Sequence, residues 1–266
     1  MSGLEALLLG LLQGLTEFIP VSSSGHLVIV KDLFGIETKD ASFEIIVHTA
    51  TVLSTVIVFR KELWGMVSDT VRFRRTEATG LTLRILFSAI PVLIVGLFFK
   101  DKIESLFTGG QAIVGWMLLL TAALLGISQW LSVRRQGSTH PIGYRDAFLI
   151  GIAQAFAVLP GLSRSGATIA TGLSLGAHKD QVAPFSFIMV LIPVLGETFL
   201  EIIGGGFAPA VTGISWSAMV IGFAAAFVSG LFACRFMIAI VRKVRLTWFA
   251  VYCLLVGVSY LIVPLL

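Results

Sequence analysis

Charge is scarce in this sequence. Asp, Glu, Lys and Arg make up 13% of its 266 residues, against about 25% in ordinary soluble domains. With 56% hydrophobic residues and a mean hydropathy of +0.96, this excludes a water-soluble globule, whose outside has to face water. Cysteine is equally sparse. Cys234 and Cys253 both lie inside apolar runs, which argues against a disulfide framework or a thiolate metal pair and reads as small buried hydrophobes. A basic tract is missing too. The net charge of +4 comes from short clusters between apolar runs, so no nucleic-acid partner is expected. Met1 to Glu5 lack the basic flank of a signal peptide, so the first apolar segment is expected to belong to the mature structure.

What is present is lipid-compatible surface. Twenty Phe and 27 Gly suit tightly packed helices in a membrane. A spanning helix needs about 20 mostly apolar residues, and six runs qualify: 43–59, 80–99, 111–131, 184–203, 216–240 and 246–266. Two further apolar regions are interrupted. Residues 4–34 break at Pro20 to His26, and residues 144–177 break at Pro160 to Gly166. Pro removes a backbone donor and Gly loosens the chain, so each region is read as a re-entrant hairpin. The expected fold is an all-α integral membrane domain over 1–266, with six transmembrane helices and two re-entrant helical hairpins.

Lys and Arg set the orientation. Arg60, Lys61, Arg72, Arg74 and Arg75 flank one loop, Arg134, Arg135 and Arg145 another, and Arg235, Arg242, Lys243 and Arg245 a third. The loop near 204–215 is uncharged. The one at 100–110 is balanced, with Lys100 and Lys102 against Asp101 and Glu104. The positive-inside rule places the three basic loops in the cytoplasm, and both termini outside.

The two breaks are copies of each other. Gly10 to His26 aligns without gaps on Gly151 to Ala167, pairing Gln13 with Gln154, Ser22 with Ser163, Ser24 with Ser165 and Gly25 with Gly166. The chain thus reads as two repeats, 1–131 and 144–266, each a hairpin followed by three spans. An odd number of spans inverts the second repeat relative to the first. The broken tips then meet near mid-membrane, where irregular backbone survives only beside a cavity or inside protein.

Departures from the repeat point to chemistry. Glu17 stands where the second copy has Val158, Arg164 where the first has Ser23, and His26 where the second has Ala167. Each ionisable group is costly at that depth and is a functional candidate. Arg164 lies among hydroxyls before a helix that starts near Gly166, and its planar fork fits phosphate oxygens. Helix N-termini add free N–H groups and a positive dipole end. The serine-rich loops Ser22, Ser23, Ser24, Gly25 and Ser163, Ser165, Gly166 are therefore expected to hold an anion with two phosphates. A plain structural lock of Arg164 on Glu17 would not need two such loops. Glu17 follows Gln13 by four residues on one helix face, and the pair can hold a divalent cation or tune a partner, although Gln13 alone reads equally well as a packed interhelical amide. His26 stands about one turn from Ser23, a spacing that lets an imidazole act as base for a hydroxyl. His48 and His178 lack such company and are read as structural. Glu44 and Glu201, near span ends, are expected to reach the headgroups.

The segment Gln13 to His26, with Ser22-Ser23-Ser24-Gly25-His26 at its end, resembles the first signature of the undecaprenyl-diphosphate phosphatase family associated with bacitracin resistance. Pro160 to Thr168 is similar to its second signature, Pro-Gly-x-Ser-Arg-Ser-x-x-Thr. The resemblance covers essentially the whole chain, with one departure: Gln13 stands where many members have Glu. It implies a membrane hydrolase that removes the terminal phosphate of undecaprenyl diphosphate in the bacterial cytoplasmic membrane, using Mg2+ or Ca2+ in a site open to the periplasm. It also implies roles: Glu17 as acidic cofactor or base residue, His26 in proton transfer, Ser23 as nucleophile and Arg164 as phosphate clamp. Ser22, Ser24, Ser163, Ser165 and Thr168 would line the site. Two readings stay open, water activated by His26 in place of Ser23, and a transporter of a phosphorylated lipid, since inverted repeats with broken helices are also a transporter plan. A homodimer is compatible with the sequence.

Overall fold

The computed structural model describes residues 1–36, 38, 41–99, 111–135, 139–243 and 245–262, without the side chains of Gln111 and Arg242. The balanced loop at 100–110 and residues 263–266 of the last expected span lie outside them.

The chain is helical throughout the described residues, and their one β feature is an isolated bridge between His140 and Ala177. Helix α1 (Gly3–Thr16) opens on a capping box, in which Ser2 and Glu5 satisfy each other's backbone N–H. Helix α2 (Ser23–Phe34) ends at Gly35 in the left-handed region. Helices α3 (Ser42–Val58) and α4 (Arg60–Val71) meet at a 78° bend. Then follow α5 (Glu77–Phe98) and α6 (Gln111–Arg134). The second half holds α7 (Tyr144–Phe156), α8 (Arg164–Leu175), α9 (Lys179–Met189), α10 (Leu191–Gly204), the short α11 (Pro209–Thr212), α12 (Trp216–Lys243) and α13 (Thr247–Ile262).

Among the described residues, four helical stretches are long and apolar enough to cross a membrane: α5, α6, α9 with α10, and α12. The bent pair α3–α4 makes a fifth if it counts as one broken span. Helix α13 is shorter over its described residues, as is α1. Leu97, Phe199, Phe232, Phe236 and Leu255 stand exposed on the outside of this bundle, a surface at home against acyl chains. The protein is thus a multi-helical membrane protein.

The halves of the chain interlock. Helix α1 packs along α12, and α7 along α5, while α13 lies against α6. The first two contacts need glycine. A Cβ on Gly10 would come within 2.3 Å of the Gly222 carbonyl oxygen, and one on Gly151 within 2.2 Å of the Ser88 carbonyl oxygen. Small residues let helices approach this closely in lipid. Each interrupted region therefore leans on a helix from the other half.

The basic loops gather at one end. Arg84, near the start of α5, donates to the Ile142 carbonyl just before α7 at 2.5 Å. Leu246, just before α13, donates its N–H to Gln129 near the end of α6 at 2.9 Å. Of the acidic residues near span ends, Glu44 forms an ion pair with Lys31 of α2, and Glu201 accepts from Ser42 at 3.3 Å.

Candidate active site

Both interrupted regions are built the same way. Ser22 caps α2 by accepting from the Gly25 N–H at 3.1 Å, and Ser163 caps α8 by accepting from the Gly166 N–H at 3.0 Å. Each cap hydroxyl also lies 3.4 Å from the serine hydroxyl two residues on, Ser24 and Ser165. Ser22 reaches its capping position with φ of 70°, unusual for a residue with a Cβ. Such outliers gather at functional sites. The two caps leave the N–H groups of Ser23 and Ser24, and of Arg164 and Ser165, in first helical turns, where a helix offers them no internal partner.

The loops touch. Gly161 donates its N–H to Ser24 Oγ at 3.4 Å, and Ser165 Oγ donates to the Ile19 carbonyl at 3.3 Å. Gly161 has φ of +91°, and a Cβ there would sit 2.8 Å from the Val114 backbone. Only glycine makes that turn so close to α6.

Glu17 is the hub. It caps the end of α1 and is largely buried. Its Oε2 accepts from Ser23 Oγ at 2.6 Å and from Gln13 Nε2 at 2.8 Å. Its Oε1 faces Arg164 Nη2 at 3.3 Å. The Glu17 acid and Ser23 hydroxyl of the first interrupted region thus meet the Arg164 guanidinium of the second. A cleft beside them is lined by Glu17, Arg164, Ser165, Thr51, Thr55 and Ser186, with Phe18, Phe187 and Val190 on its apolar side.

His26 takes a different place from the one its spacing suggested. Its Nδ1 lies 2.7 Å from the Ser22 carbonyl oxygen. A carbonyl only accepts, so Nδ1 carries the hydrogen. Nε2 then accepts from the Tyr252 hydroxyl at 2.7 Å, with the two rings stacked at 5.5 Å. The hydroxyl of Ser23 bonds to Glu17, not to this imidazole. Thr168 also turns inward. It is buried, donates to the Arg164 carbonyl at 2.8 Å and shares a 2.6 Å bond with Ser186. It steadies the start of α8 from behind.

His48, read from sequence as structural, belongs to the site. Its Nε2 lies 3.4 Å from Glu17 Oε2. The signal was a polar stripe along α3, Glu44, His48, Thr51 and Thr55, at helical spacing. Tyr252, from α13, carries no such signal. His178 stays far off, bonded to Thr139 at 2.8 Å.

Comparison with known proteins gives the family. The family model described as bacitracin resistance protein BacA matches residues 6–259. This chain belongs to the BacA family. An undecaprenyl-diphosphatase of Bacteroides fragilis is 51% identical over 265 residues, covering 99% of this chain and 98% of that one. Another from Bacteroides thetaiotaomicron is 49% identical over the full length of both. A third, from Korarchaeum cryptofilum, is 35% identical over 97% of each. Among the described residues no group of three or more His, Cys, Asp or Glu could hold a metal. Gln13 Oε1, however, is fully buried with no hydrogen-bond partner, an oxygen free to ligate beside the Glu17 carboxylate.

Proposed function

We propose that this BacA-family chain hydrolyses undecaprenyl diphosphate to undecaprenyl phosphate and inorganic phosphate, returning the lipid carrier to cell-wall synthesis. Full-length relatives bearing the undecaprenyl-diphosphatase name support the substrate. The observation that carries the chemistry is the 2.6 Å bond from Ser23 Oγ to Glu17 Oε2, made beside Arg164 and two helix N-termini.

Phosphoryl transfer chiefly requires positioning and neutralisation of oxygen charge. The terminal phosphate lies between the first-turn N–H groups of α2 and α8, with the Arg164 fork on its oxygens. Ser23 Oγ attacks the terminal phosphorus while its proton passes to Glu17. The anhydride P–O bond breaks, and the polyprenyl monophosphate leaves with the bond's electron pair. Water then attacks the phosphoserine, releasing inorganic phosphate and returning a proton to Ser23 through Glu17. His26, held between the Ser22 carbonyl and Tyr252, fixes the Ser22 turn and offers Nε2 as a proton store. A divalent cation, Mg2+ or Ca2+, fits the oxygens of Gln13 and Glu17 and would supply charge neutralisation on the diphosphate.

The same reading arranges the chain as an inverted repeat, 1–131 and 144–266, with six spans in a bacterial inner membrane. Its two hairpins are re-entrant and its site opens toward the periplasm. Matched caps on α2 and α8 and the reciprocal glycine contacts support it. The test is phosphate release from a polyprenyl diphosphate by purified protein in detergent, with no membrane gradient. Ser23→Ala and Glu17→Gln should each abolish release, and acid-quenched wild type should carry phosphate on Ser23. Full release by Ser23→Ala would move the attack to water. A protein that binds the lipid and never frees phosphate would be a transporter.

A further inference from the structure

Helix α4 presents three different sides. On the first, Leu63 and Met66 pack into the core, and Thr70 Oγ1 donates to Thr82 of α5 at 3.3 Å. On the second, Trp64, Val67 and Val71 recur at helical spacing and stand exposed. Glu62 and Asp69 lie about half a turn away from that stripe, on the third. Asp69 is held there by Thr76 Oγ1 at 2.9 Å and by Arg74 at 3.7 Å. The 78° bend at Phe59 turns α4 almost square to α3, so with α3 along the membrane normal α4 lies flat. A helix laid in a membrane surface needs this pattern, an apolar stripe toward the acyl chains and carboxylates toward water.

Both ends of the stripe are basic. Arg60 and Lys61 open α4, and Arg72, Arg74 and Arg75 follow it, all exposed. Phe73 adds an independent sign. It stops the helix at φ of 52°, with its N–H on the Thr70 carbonyl and the Arg74 N–H on the Asp69 carbonyl. That position ordinarily takes glycine, because a Cβ is strained there. Here it displays an aromatic side chain, almost fully exposed, between two arginines, a mixture suited to headgroup level. We infer that α4 and the turn after it form a docking surface for anionic phospholipid. Trp64, Val67 and Val71 enter the edge of the acyl region, and the five basic side chains hold headgroup phosphates. A second copy of the chain fits badly, because two α4 stripes laid together set basic ends against basic ends in either direction. A neutral lipid surface would cover the stripe and leave the cations without counter-charge. The inference stands apart from the phosphatase reading, since it uses no residue of the site.

The probe is a vesicle of phosphatidylcholine mixed with phosphatidylglycerol, carrying the full-length protein. Nitroxide labels are placed at Val67→Cys and, separately, at Glu62→Cys, with Cys234 and Cys253 buried. The Val67 label should relax with dissolved oxygen, which concentrates in lipid, and the Glu62 label with a water-soluble nickel chelate. Spin-labelled phosphatidylglycerol should associate with the wild-type protein in preference to spin-labelled phosphatidylcholine. Replacing Arg72, Arg74 and Arg75 together by Gln should cut that preference by about fivefold, the worth of at least one basic side chain at a charged surface. The wild-type preference needs no variant to fold, and an unchanged melting temperature in detergent admits the triple variant. Arg60→Gln with Lys61→Gln takes its place if the triple variant melts early. A Glu62 label reached by oxygen overturns the inference by sinking α4 into a span. A Val67 label reached by the chelate overturns it by leaving the stripe in water, and one shielded from both puts another protein chain there. Equal association of the two lipids, or a preference that survives loss of the basic side chains, removes anionic lipid as the occupant.

Discussion

Arg164 and Glu17 lie 147 positions apart in the chain and 3.3 Å apart in space. The guanidinium is planar and forked, a shape lysine does not share. Arg164→Ala should lower kcat/KM for phosphate release by about 10²–10³-fold, the usual cost of one donor to a developing oxyanion. Arg164→Lys should recover only part of that. Equal rates in all three proteins would show that the guanidinium does no more than lock Glu17. Both residues were legible because they break an internal repeat, and an ionisable residue replacing Val or Ser at membrane depth calls for a reason. His48 lay outside the two aligned serine-rich motifs, and beside Glu44 it read as readily as part of the packing of α3. Its role became visible only when α3 was laid beside α1. The bond between His26 and Tyr252 spans 226 positions, a contact made by packing alone.

At the scale of elements, glycine contacts carry the arrangement. Gly151→Leu should push α7 off α5 and cost about 1–3 kcal/mol through overpacking, read as a lower melting temperature in detergent. An unchanged melting point would mean that this contact is slack. Lys31 and Glu44 are mostly buried, so Lys31→Met alone should destabilise by about 3–5 kcal/mol by stranding the carboxylate. The double variant with Glu44→Gln should recover most of that. The bridge between His140 and Ala177 adds a pH dependence. The ring nitrogens of His140 face the carbonyl oxygens of Pro141 and Leu175 at 3.0 and 3.2 Å, and both bonds need a hydrogen on nitrogen. These bonds raise the His140 pKa, chiefly the one to Pro141, with the nearby Asp146 carboxylate helping. A raised folded value means the contribution is complete below the ordinary value of about 6.5 and fades as pH climbs through the raised one. Exchange of the His140 and His178 amides, corrected for intrinsic rate, should therefore quicken as pH rises above about 6.5. The helices themselves were legible from apolar runs and caps. The bend at Phe59 was not, because no Pro or Gly marks it. Arg60, Lys61 and Glu62 stop the apolar run there, and charges that cannot enter hydrocarbon turn the chain along the interface.

At the scale of the molecule, the proposed topology is open to labelling. Cys234 and Cys253 are buried, so background reaction with a membrane-impermeant thiol reagent should be low. Phe73 is 92% exposed in the basic loop between α4 and α5. Gly204 ends α10, and a Cβ there meets nothing within 4 Å. Phe73→Cys and Gly204→Cys should label from opposite faces of intact cells and inverted vesicles. Labelling from one face would break the topology. The sequence already placed the basic loops together, since positive charge is sorted at insertion. It could not say which helix each hairpin would lean on, because small residues admit many partners and shape alone selects one.

Reciprocal leaning has an outcome for a severed protein. A cut between Arg135 and Thr139 would leave Glu17, Ser23 and His48 on one fragment and Arg164 on the other, each fragment missing the glycine-matched groove in which its own hairpin rests. Neither piece would hold a phosphate by itself, and the two co-expressed would regain turnover only by finding each other in the bilayer, like halves of a mould that has no cavity until it is shut.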